Sequence, residues 1–131
     1  MKIDCHAHIM PAHWPDLKYK FGYGGFIYLD HDPKTKTAKM MRDDGKFFRK
    51  VEENCFNPEA ILWDMSANQV DQMVLCTVPV LFNYWAKPND AAWWASFLND
   101  HIAEVQSQRP DKFIALGTLP MQDVALSIKE L

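Results

Sequence analysis

The chain lacks paired cysteines, long apolar runs and any surplus of basic charge, and each absence removes a class of function. Cys5, Cys55 and Cys76 are odd in number and share no Cys-x-x-Cys spacing, which argues against a disulfide framework or a zinc knuckle. Unpaired thiols of this kind fit the reducing cytoplasm. The apolar runs are strand-sized and interrupted by charge, short of the ~20 residues a transmembrane helix needs, so no membrane partner is expected. Met1-Lys2-Ile3-Asp4 carries no secretory apolar core. The formal net charge is −3, with Lys and Arg scattered rather than striped, so no nucleic-acid partner is expected.

What is present suits one domain: 131 residues, 48% hydrophobic and 13% aromatic, enough for a real core. The most informative segment is Asp4-Cys5-His6-Ala7-His8-Ile9. It reads as a strand from Ile3 to Ile9, stopped by Pro11. Residues two apart on a strand share a face, so Asp4, His6 and His8 should line one side. Cys5 should point to the other and be buried as a small apolar residue. Two imidazoles at this spacing can converge on one divalent ion, and Zn²⁺ suits them. A ligand pair at the C-terminal end of a first strand points to the catalytic face of a β/α barrel.

From Met10 to Asn57 no helical periodicity appears. The runs Ala38 to Arg42 and Lys46 to Val51 flank Asp43-Asp44-Gly45, a hairpin signal, and Phe26 to Leu29 offers a third strand. This stretch reads as a small β insertion. Asn57-Pro58-Glu59 starts a helix running to about Asn68. Gln72 to Val78 is a buried strand, a second helix runs from near Asn89 to Gln108, Lys112 to Leu119 is a strand, and Asp123 caps a third helix. Alternating strands and helices imply a parallel sheet. Three β/α units are less than half of an eight-unit barrel, so the chain reads as part of something larger. Trp85, Trp93 and Trp94 are expected to be mainly structural.

Several blocks then carry a resemblance. Asp4-x-His6-x-His8, Trp14-Pro15-Asp16-Leu17, Phe21-Gly22-Tyr23-Gly24-Gly25 and Asp44-Gly45-Lys46-Phe47-Phe48-Arg49 recur in order with Thr77 to Pro88 and Leu116-Gly117-Thr118-Leu119-Pro120-Met121-Gln122. Together they resemble the aminocarboxymuconate-semialdehyde decarboxylases over essentially the whole chain. The resemblance implies an α/β fold: the N-terminal three β/α units of a metal-dependent (β/α)8 TIM-type barrel of the amidohydrolase superfamily. The whole of residues 1–131 would be partial barrel, with a β-hairpin insertion at about 12–56 after strand one.

The same resemblance implies oxygen-independent removal of CO₂ from 2-amino-3-carboxymuconate 6-semialdehyde, on the kynurenine route of tryptophan breakdown. His6 and His8 would be the first two Zn²⁺ ligands, Arg49 the holder of a substrate carboxylate and Phe48 a neighbour shaping the pocket. Trp85 is held open as a further substrate contact, because its loop follows the second parallel strand on the catalytic face. The complete enzyme would be a cytoplasmic homodimer acting on a small molecule. Related resorcylate-type decarboxylases usually carry an acid in place of the first histidine, so His6 favours the aminocarboxymuconate branch.

The family's later ligands, a third His and an Asp, and its acid–base His have no match in His13, His31 or His101. His13 and His31 are expected in solvent-facing loops, and His101 packed on the apolar side of its helix. Catalytic zinc normally takes three protein ligands, so this chain alone is expected to be inactive. Two other readings share the residues: a metal-dependent hydrolase, whose neutral substrate would give Arg49 no task, and a non-catalytic truncated isoform that associates with full-length subunits.

Overall fold

A computed structural model describes all 131 residues. In chain order they form β1 (Ile3–Ile9), α1 (Leu17–Phe21), β2 (Ile27–Asp32), β3 (Thr37–Arg42), β4 (Phe47–Val51), α2 (Pro58–Ala67), β5 (Gln72–Thr77), α3 (Pro88–Gln108), β6 (Phe113–Leu116) and α4 (Val124–Glu130). Single 3₁₀ turns lie at Glu53–Cys55 and Pro79–Leu81. β1, β5 and β6 make a parallel sheet in the order β1-β5-β6, while β2, β3 and β4 make an antiparallel meander. The architecture is α/β: three β/α units of a barrel, with a β insertion between the first strand and its helix.

Local chemistry explains the helix starts. The Asn57 side chain accepts from Glu59 N–H ahead of Pro58, and Asp123 accepts from Leu126 N–H. Helix α1 was not expected from periodicity. Its five residues are too few to show a pattern, yet Asp16 caps its start and Gly22, at φ +80°, ends it. Strand β6 stops at Leu116, short of the expected Leu119. Asn99 on α3 explains this: its side chain accepts from Thr118 N–H (2.7 Å) and donates to Thr118 O (2.9 Å), drawing the backbone off the sheet.

Two cores result. Ile9, Leu75 and Phe113 pack beneath Ile61 and Met65 of α2 and Ile102 and Val105 of α3. The second core joins the insertion (Phe26, Ile27, Ala38, Met40, Val51) to Met10, Leu81 and the first half of α3, through Ala91, Trp94 and Leu98. The opposite face of the parallel sheet has no covering layer, and Ile114 and Leu116 on β6 are exposed. No helix is long and apolar enough to cross a membrane.

Candidate active site

β1 is not a regular strand. Its pairing with β5 shifts between Asp4, opposite Met73, and Ala7, opposite Leu75. Two residues of β1, Cys5 and His6, thus stand opposite one of β5, Val74, as a bulge. The expected alignment of Asp4 with the two histidines is therefore corrected. Asp4 lies beside Met73, which packs with the helix-side core, and its carboxylate accepts from His6 N–H at 3.1 Å. Cys5, expected buried, is exposed, because the bulge takes it out of the alternation that sends Ala7 and Ile9 into that core.

From the bulge onward, His6 and His8 stand together with ring centroids 4.9 Å apart, edge to face. His8 pairs with Cys76 of β5, and its Nδ1 lies 3.2 Å from Cys76 Sγ. Burial pushes the Cys76 thiol up from its ordinary value, so it stays protonated at neutral pH.

The insertion comes over this strand end. Gly45, at φ +84°, supplies the left-handed residue of the β3–β4 connection, and Arg42 N–H donates to Lys46 O at 2.8 Å. Asp43 in the same connection accepts from Gly25 and Phe26 N–H at 2.7 and 3.0 Å, which fixes the start of β2. The ladder then slips. Met40 pairs with Arg49 and Met41 with Phe47, leaving Phe48 unpaired. Adjacent residues on an unbroken strand point to opposite faces, but at this bulge both Phe48 and Arg49 line one cavity.

That cavity, about 530 Å³, is shared by His8 and Met10 at the end of β1, Met40 on β3, Phe48 to Val51 on β4 and Val78 to Val80 after β5. It opens at the C-terminal end of the parallel sheet. The structure thus brings His8, Phe48 and Arg49 together, with His6 beside His8. Its apolar walls, Met10, Met40 and Val80, were not singled out in the sequence; the pairing of β3 with β4 reveals them. The donors present suit a borderline divalent ion, since imidazole nitrogens bind such metals well. They would supply two ligands, and no group of three or more His, Cys, Asp or Glu is arranged so as to hold a metal ion.

No protein-family model matches the chain. Over all 131 residues it is 54% identical to the 2-amino-3-carboxymuconate-6-semialdehyde decarboxylase of Dictyostelium discoideum, covering 36% of that protein. It is 47% identical over 98% of its length to the Caenorhabditis elegans protein of the same name, covering 31% of it. The chain is thus similar in sequence, along essentially its whole length, to proteins named 2-amino-3-carboxymuconate-6-semialdehyde decarboxylase. It spans about a third of the length of these relatives.

Solved structures agree on the fold. The apo form of IDCase from Metarhizium anisopliae matches 98% of the chain at TM-score 0.73 and 13% identity, over 38% of its own length. Dihydroxybenzoic acid decarboxylase from Polaromonas sp. JS666, solved with bound manganese and 2-nitroresorcinol, matches 98% at TM-score 0.65 and 20% identity, over 33% of its length.

The remaining candidates lie elsewhere. Trp85 does not line the cavity; it lies on Phe26 (centroids 4.9 Å apart) and over Gly25. Trp94 is buried and Trp93 partly exposed. His31, expected in a loop, is a half-buried residue of β2. Its Nε2 lies 2.6 Å from Ala12 O and its ring meets Phe56 edge-on. His13 is exposed, with its ring 4.8 Å from that of His31. His101 is half-buried on α3, and burial holds its pKa below the ordinary value.

Proposed function

We propose that the whole protein to which these residues belong is a zinc-dependent carboxy-lyase. Its substrate would be 2-amino-3-carboxymuconate 6-semialdehyde, decarboxylated without oxygen on the kynurenine route. The observation that carries this reading is the shared cavity: His8 from the barrel strand and Arg49 with Phe48 from the insertion, in a chain 54% identical to a decarboxylase of that name.

The roles follow from the chemistry of each group. The substrate has two carboxylates, of which one leaves as CO₂ when its C–C bond breaks and a proton takes its place on carbon. Arg49 holds the other, because a planar guanidinium pairs with a carboxylate through two parallel hydrogen bonds. Phe48 and the Met10, Met40 and Val80 walls exclude water from the flat conjugated chain, which strengthens that ion pair. His6 and His8 would hold the Zn²⁺, which when bound would supply Lewis-acid chemistry. Arg49 also disfavours a hydrolase of neutral amides, since a neutral substrate leaves its charge unanswered. The free thiols Cys5, Cys55 and Cys76 favour the cytoplasm, and a homodimer remains the expected assembly.

The test is anaerobic CO₂ release from the named substrate by the whole protein, with metal content measured alongside. One equivalent of CO₂ per substrate is expected, with loss of both zinc and activity in His6→Ala and His8→Ala. Stoichiometric zinc in either variant, or turnover that releases no CO₂, overturns the reading.

A further inference from the structure

The thiol of Cys76 touches two groups: Ala7 O at 3.5 Å and His8 Nδ1 at 3.2 Å. A carbonyl oxygen can only accept, so the Ala7 contact requires the thiol hydrogen to point at it. With that hydrogen committed, the sulfur faces Nδ1 with lone pairs and can only accept there. On that assignment of the thiol hydrogen, Nδ1 is the donor to the sulfur and carries the imidazole proton. Neutral imidazole has one N–H, so Nε2 keeps a free lone pair.

We propose that Cys76 is the positioning residue of His8: it fixes the imidazole as the Nδ1–H tautomer and turns the Nε2 lone pair toward a divalent metal. The inference rests on the reading of His8 as a metal ligand. Metal-binding histidines generally donate their second ring N–H to an oxygen acceptor that fixes tautomer and orientation; here a neighbouring strand supplies a thiol for that task. The register gives the reason for the position. His8 and Cys76 are direct partners in the β1–β5 pairing, so the sulfur sits beside the ring. Any residue at position 76 would flank His8, but only one that both accepts from Nδ1–H and donates to Ala7 O performs this role. Serine qualifies and alanine does not.

The tautomer is read without any variant. In the metal-free whole protein labelled with ¹⁵N, His8 should show a protonated Nδ1 and an unprotonated Nε2. Zn²⁺ affinity is then measured by competition with a chelator. Cys76→Ala should weaken binding about 10- to 100-fold, and Cys76→Ser should restore it to within a few-fold of wild type. A merely structural cysteine predicts no such split, because alanine and serine both lie close to cysteine in size. A protonated Nε2 in the metal-free protein, or equal zinc affinity in the alanine and serine variants, overturns the proposal. Zinc retained by His8→Ala would instead sink the parent reading, so the two failures are distinguishable.

Discussion

Met40 and Arg49 face each other across the β3–β4 ladder. Met40 is buried in the insertion core and also forms a wall of the cavity, so its partner's guanidinium is carried on the same side of the sheet. Arg49→Lys keeps the charge but loses the planar fork. It is expected to lower kcat/KM of the whole protein by about 2 kcal/mol, roughly 30-fold, with little change in melting temperature. Steady-state kinetics with a thermal melt checks this, and unchanged kinetics would take Arg49 out of the site.

Gly25 and Trp85 are in closer contact than any other residue at position 25 would allow. Gly25 has φ +117°, and a Cβ built there would meet Trp85 Cη2 at 2.7 Å. Gly25→Ala should cost about 2–3 kcal/mol, part backbone strain and part collision. In a Trp85→Ala background the same change should cost less, because the collision is gone. A double-mutant cycle by chemical denaturation measures the coupling, and strictly additive costs would mean the indole moves aside freely.

Stability should depend on pH through His101. Burial holds its imidazole below the ordinary 6.5, against a smaller upward pull from Glu104. Below pH 6.5 the unfolded chain takes up a proton that the folded one resists. Stability from this group is therefore intact above 6.5 and falls as pH drops through that value, levelling off below the native pKa. The drop in melting temperature of the whole protein between about pH 7.5 and 5.5 should be smaller in His101→Gln. Equal drops in both proteins would exclude His101 as the source.

Residues 1–131 expressed by themselves should associate or precipitate, and should lack decarboxylase activity at any zinc concentration. Ile114 (39% exposed) and Leu116 (51% exposed) stand on a sheet face that a closed barrel would cover with opposing strands. Light scattering and a thermal melt decide it. A monodisperse monomer that melts cooperatively would show that the uncovered face is tolerated.

Much of this architecture was legible in the sequence because its signals are local. Asn57-Pro58 marks the start of α2, the spacing of Trp94, Leu98, Ile102 and Val105 marks α3, and Asp43-Asp44-Gly45 marks the β3–β4 connection. The histidine pair was legible from strand alternation. The two bulges were not, since a register shift is a property of two strands and leaves no trace in one. Alternation accordingly misplaces Asp4 and Cys5; that Phe48 and Arg49 share a pocket is implied only by the family resemblance, and nothing in the sequence points to Cys76 meeting His8. Trp85 sits where its loop should be, but Gly25, sixty residues earlier in the chain, decides what it touches.

Helix α3 enters both cores without a break: Ala91, Trp94 and Leu98 lie in the insertion core, Ile102 and Val105 in the barrel core. After Pro88 it contains neither proline nor glycine, the residues at which helices usually kink. An insertion anchored to such a spine cannot swing open as a lid, because any hinge would have to bend the helix or strip Trp94 from its packing. Traffic into the cavity must use smaller movements: rotamers of the exposed Phe48 and Arg49, or the short Pro79–Leu81 turn. Such motions run on nanosecond to microsecond scales rather than those of domain closure, so admission of substrate would be gated by side chains at the rim.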